Sequence, residues 1–383
     1  MRVKHSLMLQ GCYSYVTTRG RVSRLTITTA LGFLYVGSAM AQSPTPVPFV
    51  PPPNDTVAAA AKPSRLPGLK RWLAIETFSV SARYRIIQNG MGDVTANQLQ
   101  YQVAIRGRFK FDGKGRYSIV AGLYTGSFFN SGWNSTGLGT GTASTNLYLK
   151  HLYFDARPTK SLQFQIGGLG VNNGENTEAT GYDNDAFIMG ERIIIKAPKK
   201  LYFDEISVTN AHLGELNQPS VFRRFGNLSK PNYRQVLVRK EVNKRYAFSA
   251  DYTHDSGTDT LRQAVRIMTP GTRLIDRVVF ENYQRFNGPG RYGFNLFGER
   301  KLSSKVALNA GIAHIDTVML NGDRFPKGTR MHATATYKPR AELTVTAAFT
   351  QGLGPAAPAL PRTRFEIIFS YNILETLRRH RLH

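Results

Sequence analysis

The chain has 383 residues, with 50 Lys and Arg against 25 Asp and Glu, and a formal net charge of +25. A nucleic-acid binder would gather such charge on one face or in one tail, whereas here Lys and Arg are spread along the whole chain, often at every second position. The single cysteine, Cys12, falls in a leader segment, so the mature chain can hold neither a disulfide nor a thiolate zinc site.

Residues 1–41 read as a secretory signal peptide. Arg2, Lys4, Arg19, Arg21 and Arg24 supply positive charge without an acid, Leu25 to Val36 form the apolar core, and Ala39-Met40-Ala41 is an A-x-A cleavage site. The apolar run is too short to span a bilayer as an ordinary helix. Residues 42–71 are rich in Pro and Ala, a composition that favours extended, solvated chain, and read as a periplasmic linker.

From about Trp72 the dominant period is two. Phe78, Val80, Ala82, Tyr84 and Ile86 alternate with Thr77, Ser79, Ser81, Arg83 and Arg85; Leu99, Tyr101, Val103 and Ile105 alternate with Gln100, Gln102 and Arg106. The rule returns in Tyr246 to Thr253, in Leu343 to Thr350 and in Phe365 to Ile373. Alternate strand residues point to opposite faces, so each strand has one apolar and one polar side. These runs are commonly about ten residues or more, longer than soluble strands and matched to the hydrocarbon thickness when tilted. Aromatics such as Tyr84, Tyr101, Phe111, Tyr117, Tyr292, Tyr337 and Tyr371 sit at the ends of the apolar faces, as an interfacial girdle requires.

The connections alternate short and long. The short set is 112–116, 157–160, 198–200, 243–245, 270–273, 303–305 and Lys338-Pro339-Arg340. The other set includes 127–145, 170–185, 212–231, 316–328 and 351–362, with two brief members near 254–258 and 286–290. Tight inner turns with longer outward loops are the habit of outer-membrane barrels, and a lipid-exposed sheet must close to leave no edge unpaired. The expected fold is therefore all-β, a transmembrane antiparallel barrel over residues 72–374 with about sixteen strands, fourteen or eighteen remaining open. Segments 147–156, 201–211, 234–241 and 275–284 mix polar and apolar residues on both faces and make the weakest strands.

Leu147-Tyr148-Leu149-Lys150-His151-Leu152-Tyr153-Phe154-Asp155-Ala156-Arg157-Pro158, leading into Leu162-Gln163-Phe164-Gln165-Ile166-Gly167-Gly168, resembles a hairpin of the bacterial porin superfamily. The resemblance is topological over 72–374 and motif-like over about 147–170. It implies assembly by the barrel-assembly machinery, contact with outer-membrane lipid and lipopolysaccharide, and a monomer or a homotrimer. It also implies that the loop after the fifth strand, Gly170 to Asp185 here, folds inward and narrows the pore. One departure is that residues 375–383 continue past the final aromatic strand as a basic tail.

On the polar faces, Arg83, Arg85, Arg106, Arg108 and Lys110 would form a positive ladder along one wall, joined by Arg192, Arg262, Arg266, Lys196 and Arg330. The rival reading is that these charges only keep the wall wet or satisfy one another. Glu175, Glu178, Asp183 and Asp185 are the acidic exception, and folded inward they would face that wall across a constriction; an external, cation-binding loop is the alternative. The histidines are scattered, with His212 near Glu215 and His254 beside Asp255 as candidate rim pairs for a barrel enzyme. No G-x-S-x-G, H-E-x-x-H or phosphate-loop motif occurs, and no metal or organic cofactor is expected. The sequence thus points to a non-enzymatic channel of the cell outer membrane, reached through the Sec pathway, passing small hydrophilic and preferentially anionic solutes. A barrel enzyme and a structural or adhesive barrel are the alternatives.

Overall fold

The computed structural model describes residues 68–129, 131–140, 145–182, 187–197, 202–269, 274–287, 292–316, 325–354 and 360–380. The signal-peptide segment, most of the linker, Asp183, Asp185 and residues 381–383 lie outside this set.

Sixteen strands close into one antiparallel barrel among the described residues. In chain order they are β1 (Leu73–Gln88), β2 (Val94–Lys110), β3 (Tyr117–Tyr124), β4 (Tyr148–Ala156), β5 (Leu162–Gly170), β6 (Phe187–Lys196), β7 (Glu205–His212) and β8 (Tyr233–Val242). The second half comprises β9 (Tyr246–Asp255), β10 (Thr258–Met268), β11 (Arg277–Arg285), β12 (Tyr292–Lys301), β13 (Val306–Ile315), β14 (Gly328–Arg340), β15 (Leu343–Leu353) and β16 (Thr363–Asn372). Every strand pairs with its sequence neighbours, and β1 closes on β16 from Ser79 opposite Asn372 to Gln88 opposite Thr363.

The period-two pattern sets the faces, and the usual burial rule is inverted. On β16, Arg364 and Glu366 are buried at 4% and 1% exposure while Phe365 and Phe369 stand 38% and 50% exposed. On β1, Arg83 is buried and Val80 and Tyr84 are exposed. Polar side chains therefore face the lumen and apolar ones face outward, the arrangement of a wall that meets oil outside.

Three local devices modify the regular wall. The register between β1 and β2 slips between Ile75 and Thr77, so Glu76 is an extra residue in a β-bulge, and its carboxylate reaches Arg106 and Arg108. β2 outruns β3, and the segment after β3 folds along its free edge, Leu138 exchanging backbone hydrogen bonds with Leu99 at 3.2 and 2.8 Å. Gly137, at φ 78°, makes this approach feasible, since a Cβ there would lie 2.1 Å from the Leu99 carbonyl oxygen. β4 and β5 pair only over Leu152–Ala156 and Phe164–Gly168. A 3-10 helix, Val221–Ser229, packs there, burying Val221 with Phe187 and Met189.

The turn expected at Lys338-Pro339-Arg340 lies inside β14 instead. The chain reverses at Ala341 and Glu342, and the register slips between Tyr337 and Arg340, where Pro339, having no N–H, interrupts the ladder. After β16, the start of the expected tail is a short helix, α1 (Ile373–Arg379). Its Asn372 cap accepts from the Glu375 N–H at 3.2 Å, Leu374 is buried, and Arg379 pairs with Glu342.

Candidate functional site

The segment between β5 and β6 enters the lumen. Asn172 follows β5, and its carbonyl accepts from Gln235 of β8 at 2.7 Å. Gly174, at φ 61°, then passes close to the wall: a Cβ would lie 2.8 Å from Ser249 Oγ and 3.0 Å from Leu237 Cδ1. Glu175 lands on two lumen-facing arginines, Oε1 accepting from Arg239 Nε at 2.7 Å and Oε2 from Arg266 Nε at 2.9 Å. Its own N–H donates to Ser249 Oγ at 2.8 Å. Burial pushes the Glu175 carboxyl up, but the two guanidiniums outweigh burial and hold it below the ordinary glutamate range.

Further on, the loop is fastened to Glu281 of β11, which is fully buried. That carboxylate accepts from the Thr177 N–H and hydroxyl, from Thr180 Oγ1 at 2.7 Å and from Asn295 Nδ2 at 2.6 Å. The returning chain is clamped by Asn173, whose side chain donates to the Tyr182 carbonyl and accepts from the Tyr182 N–H at 2.9 and 3.2 Å. Tyr182 donates to Asp255 at 3.0 Å, and its ring lies 4.8 Å from the Arg262 guanidinium. Burial, with Tyr233 and Asp255 nearby, raises the Tyr182 phenol well above its ordinary value, so it stays a hydrogen-bond donor. From β5 to β11, the loop covers one side of the lumen.

The four segments with mixed faces are strands β4, β7, β8 and β11. In three of them the mixing has a cause. Tyr153, Ala211 and Tyr233 face inward and pack with Leu169, Val171, Ile188 and Tyr182 in one buried cluster beneath the loop. Their inner side meets protein rather than water.

The predicted ladder is in the lumen, but its charges are largely answered. Arg83 bonds Gln100 at 2.6 Å, pairs with Glu366 at 3.4 Å and stacks on Trp133 at 4.5 Å. Arg106 and Arg108 share Glu76, and Arg108 also reaches Asp155 at 2.6 Å. Arg85 bonds Gln98, and the Lys110 stem packs beside Gly115. Register separates Arg83 and Arg85, opposite Gln100 and Gln98, from Arg106 and Arg108, opposite Thr77 and Ala74. Two groups therefore stand where one continuous stripe was expected. Arg192 bonds Thr209 and the Gly170 carbonyl, and Arg262 pairs with buried Asp251 at 2.9 Å. Of the loop acids, Glu175 is held by Arg239 and Arg266 rather than facing the first hairpin, and Glu178 is half-buried in the loop.

Sequence reasoning missed Glu76, Asp155, Asp251, Glu281 and Trp133 as members of this lining. All but Glu76 and Trp133 sit on strand faces that alternation assigns to the lumen. The bulge at Glu76 and the infolding of Trp133 have no periodic signature. The rim pairs also differ: His212 Nδ1 contacts the Lys230 carbonyl, and His254 contacts Asp259 rather than Asp255. His314 lies between Thr329 Oγ1 at 2.8 Å and Asp316 Oδ1 at 3.1 Å, stacked on Tyr292 and Phe294 of the outward face.

Solved structures share this barrel fold. A mutant of the Rh. blastica porin superposes with TM-score 0.51 at 10% identity, covering 78% of this chain and 99% of that one. Pseudomonas putida OprB gives 0.51 at 9% identity over 79% and 93% of the two chains. Salmonella typhi OmpF, solved with daunomycin, gives 0.53 at 10% identity over 78% and 97%. The fold is that of a porin. No family model and no curated protein matches the sequence.

Proposed function

We propose that this porin-like barrel is an outer-membrane channel for passive diffusion of small hydrophilic solutes, with anions passing ahead of cations. The observation that carries the reading is a polar, arginine-rich lumen inside an apolar outer wall, with one loop fastened across part of that lumen. Tyr117, Tyr246, Tyr337 and Tyr371 mark the short-turn end of the outward face, and Tyr252 and Tyr292 mark the other, all exposed. Two such belts suit the two interfaces of a bilayer. Basic side chains outnumber acids two to one in the chain, 50 to 25, which supports the anion preference. Residues 1–41 are read as a leader removed on export and 42–71 as a periplasmic linker.

Purified protein in planar bilayers is expected to give stepwise conductance, with a reversal potential in a KCl gradient that favours chloride. Absence of steps would remove the channel, and a potassium preference would remove the charge selectivity alone. Deleting residues 173–182 is expected to enlarge each step, because the loop covers part of the lumen; an unchanged step would take the loop out of the conduction path.

A rim hydrolase is the second reading, and the Thr329–His314–Asp316 chain on the outward face is the observation in its favour. Release of fatty acid from lipid esters by the wild type and its loss in Thr329→Val would support it, while no release from the wild type would end it.

A further inference from the structure

Buried cations in this barrel come with partners. Arg83, Arg106, Arg262 and Arg364 each pair with a carboxylate. Arg192, Arg224 and Lys150 donate to backbone carbonyl oxygens. Arg330 is the exception among the described residues: it is 3% exposed, no hydrogen bond or ion pair reaches it, and its Nε is buried without an acceptor. A buried guanidinium left alone is costly, so the absence of an acceptor on the protein points to one brought from solution.

Its place fits a ligand. Arg330 lies on the lumen face near the long-loop end of β14, between Ala313 and Gly352 in the strand register. Neither neighbour carries a polar side chain that could pair with it. One row further in, Thr350 stands opposite Arg364 on β16, and Arg364 also donates to Glu366 at 2.6 Å. Arg362, exposed, precedes that pair at the mouth. Two guanidiniums and a hydroxyl on one lumen wall, against a single nearby carboxylate, form a donor set for a compact oxyanion.

We propose that Arg330, with Thr350 and Arg364, forms a binding station for a small oxyanion, a phosphate or carboxylate group of a solute in transit, at the outward end of the lumen. The inference deepens the anion-channel reading and rests on it for the word transit; binding itself does not need an open pore. The guanidinium fork matches the paired oxygens of such groups, which chloride cannot offer.

Inorganic phosphate is the probe, titrated into the detergent-folded protein by calorimetry at low salt and, separately, into planar bilayers carrying chloride current. Wild type is expected to bind phosphate and to show chloride conductance falling as phosphate rises. Arg330→Gln is expected to weaken both effects about tenfold, the loss of a charge-assisted contact. Arg330→Lys, which keeps the charge without the fork, should fall between the two. Arg116→Gln, which removes an exposed charge in the turn at 112–116, should leave the phosphate response unchanged. Equal phosphate affinity in wild type and a folded Arg330→Gln or Arg330→Lys barrel would overturn the site. If phosphate binds as described but no current flows, the channel reading fails and the station stands.

Discussion

The two sides of the lumen are built differently. From β4 to β10 the inward residues are almost all fully buried, Tyr153, Gln165, Thr209, Gln235, Ser249 and Arg262 among them, beneath or beside the inward loop. From β13 to β16 the inward positions nearer the short turns, Asn309, Thr334, Thr336, Thr344, Ala348 and Ser370, stay partly exposed, while Ala313, Ile315, Arg330, Thr350, Arg364 and Glu366 nearer the long loops are buried. The first side is a protein interior that happens to line a barrel; the second is a wetted wall. The proposed solute path then runs along that side, with Arg330 at its long-loop end.

Breaking the packed side should have the largest effect. Glu281→Leu would strand the Thr177, Thr180 and Asn295 donors and is expected to cost about 3 kcal/mol or more by urea unfolding, since several buried donors are left unpaired at about 1–3 kcal/mol each. Conductance should rise as the loop is released. A smaller loss, about 1–3 kcal/mol, is expected for Glu281→Gln, which keeps shape and one acceptor.

Next in size is the pair of arginine groups bordering the wetted wall. Neutralising Arg83, Arg85, Arg106 and Arg108 together uncovers Glu76, Asp155 and Glu366, so reversal potentials should move toward cations more than the loss of a bare positive stripe would cause. Unchanged selectivity would mean that these charges are silent in transport.

Acid offers a graded test of the loop. The Glu175 carboxyl is held low, so its link to Arg239 and Arg266 is complete above the ordinary glutamate range and is lost only as pH falls through the lower, folded value. Conductance is therefore expected to hold steady while an ordinary glutamate would protonate, and to rise at more acid pH. Glu175→Gln should mimic the acid state at neutral pH. The smallest change belongs to the wetted wall, where Thr336→Val is expected to shift stability by about 0.5 kcal/mol or less.

This division also explains what the sequence could tell. Alternation reads cleanly where one face meets water and the other oil, as in β1, β15 and β16, and it led to about sixteen strands. It blurs in β4, β7 and β8 because Tyr153, Ala211 and Tyr233 turn inward onto a loop distant in sequence. Charge pairing was hidden for a related reason: Arg83 meets Glu366 only because the barrel closes, and Arg108 meets Asp155 across an intervening strand. Pro339 misled in the opposite way, since a bulge keeps inside β14 a residue that usually ends a strand.

The central claim is that oil meets one face of each strand and solvent the other. With Cys12 replaced by Ser, single cysteines at adjacent positions of β14, Thr336→Cys and Ala335→Cys, can be labelled with a charged maleimide on protein held in lipid vesicles. Rapid labelling at 336 and protection at 335 is the predicted result, whereas equal labelling, or protection at 336 alone, would contradict a water-filled lumen within a lipid-facing wall.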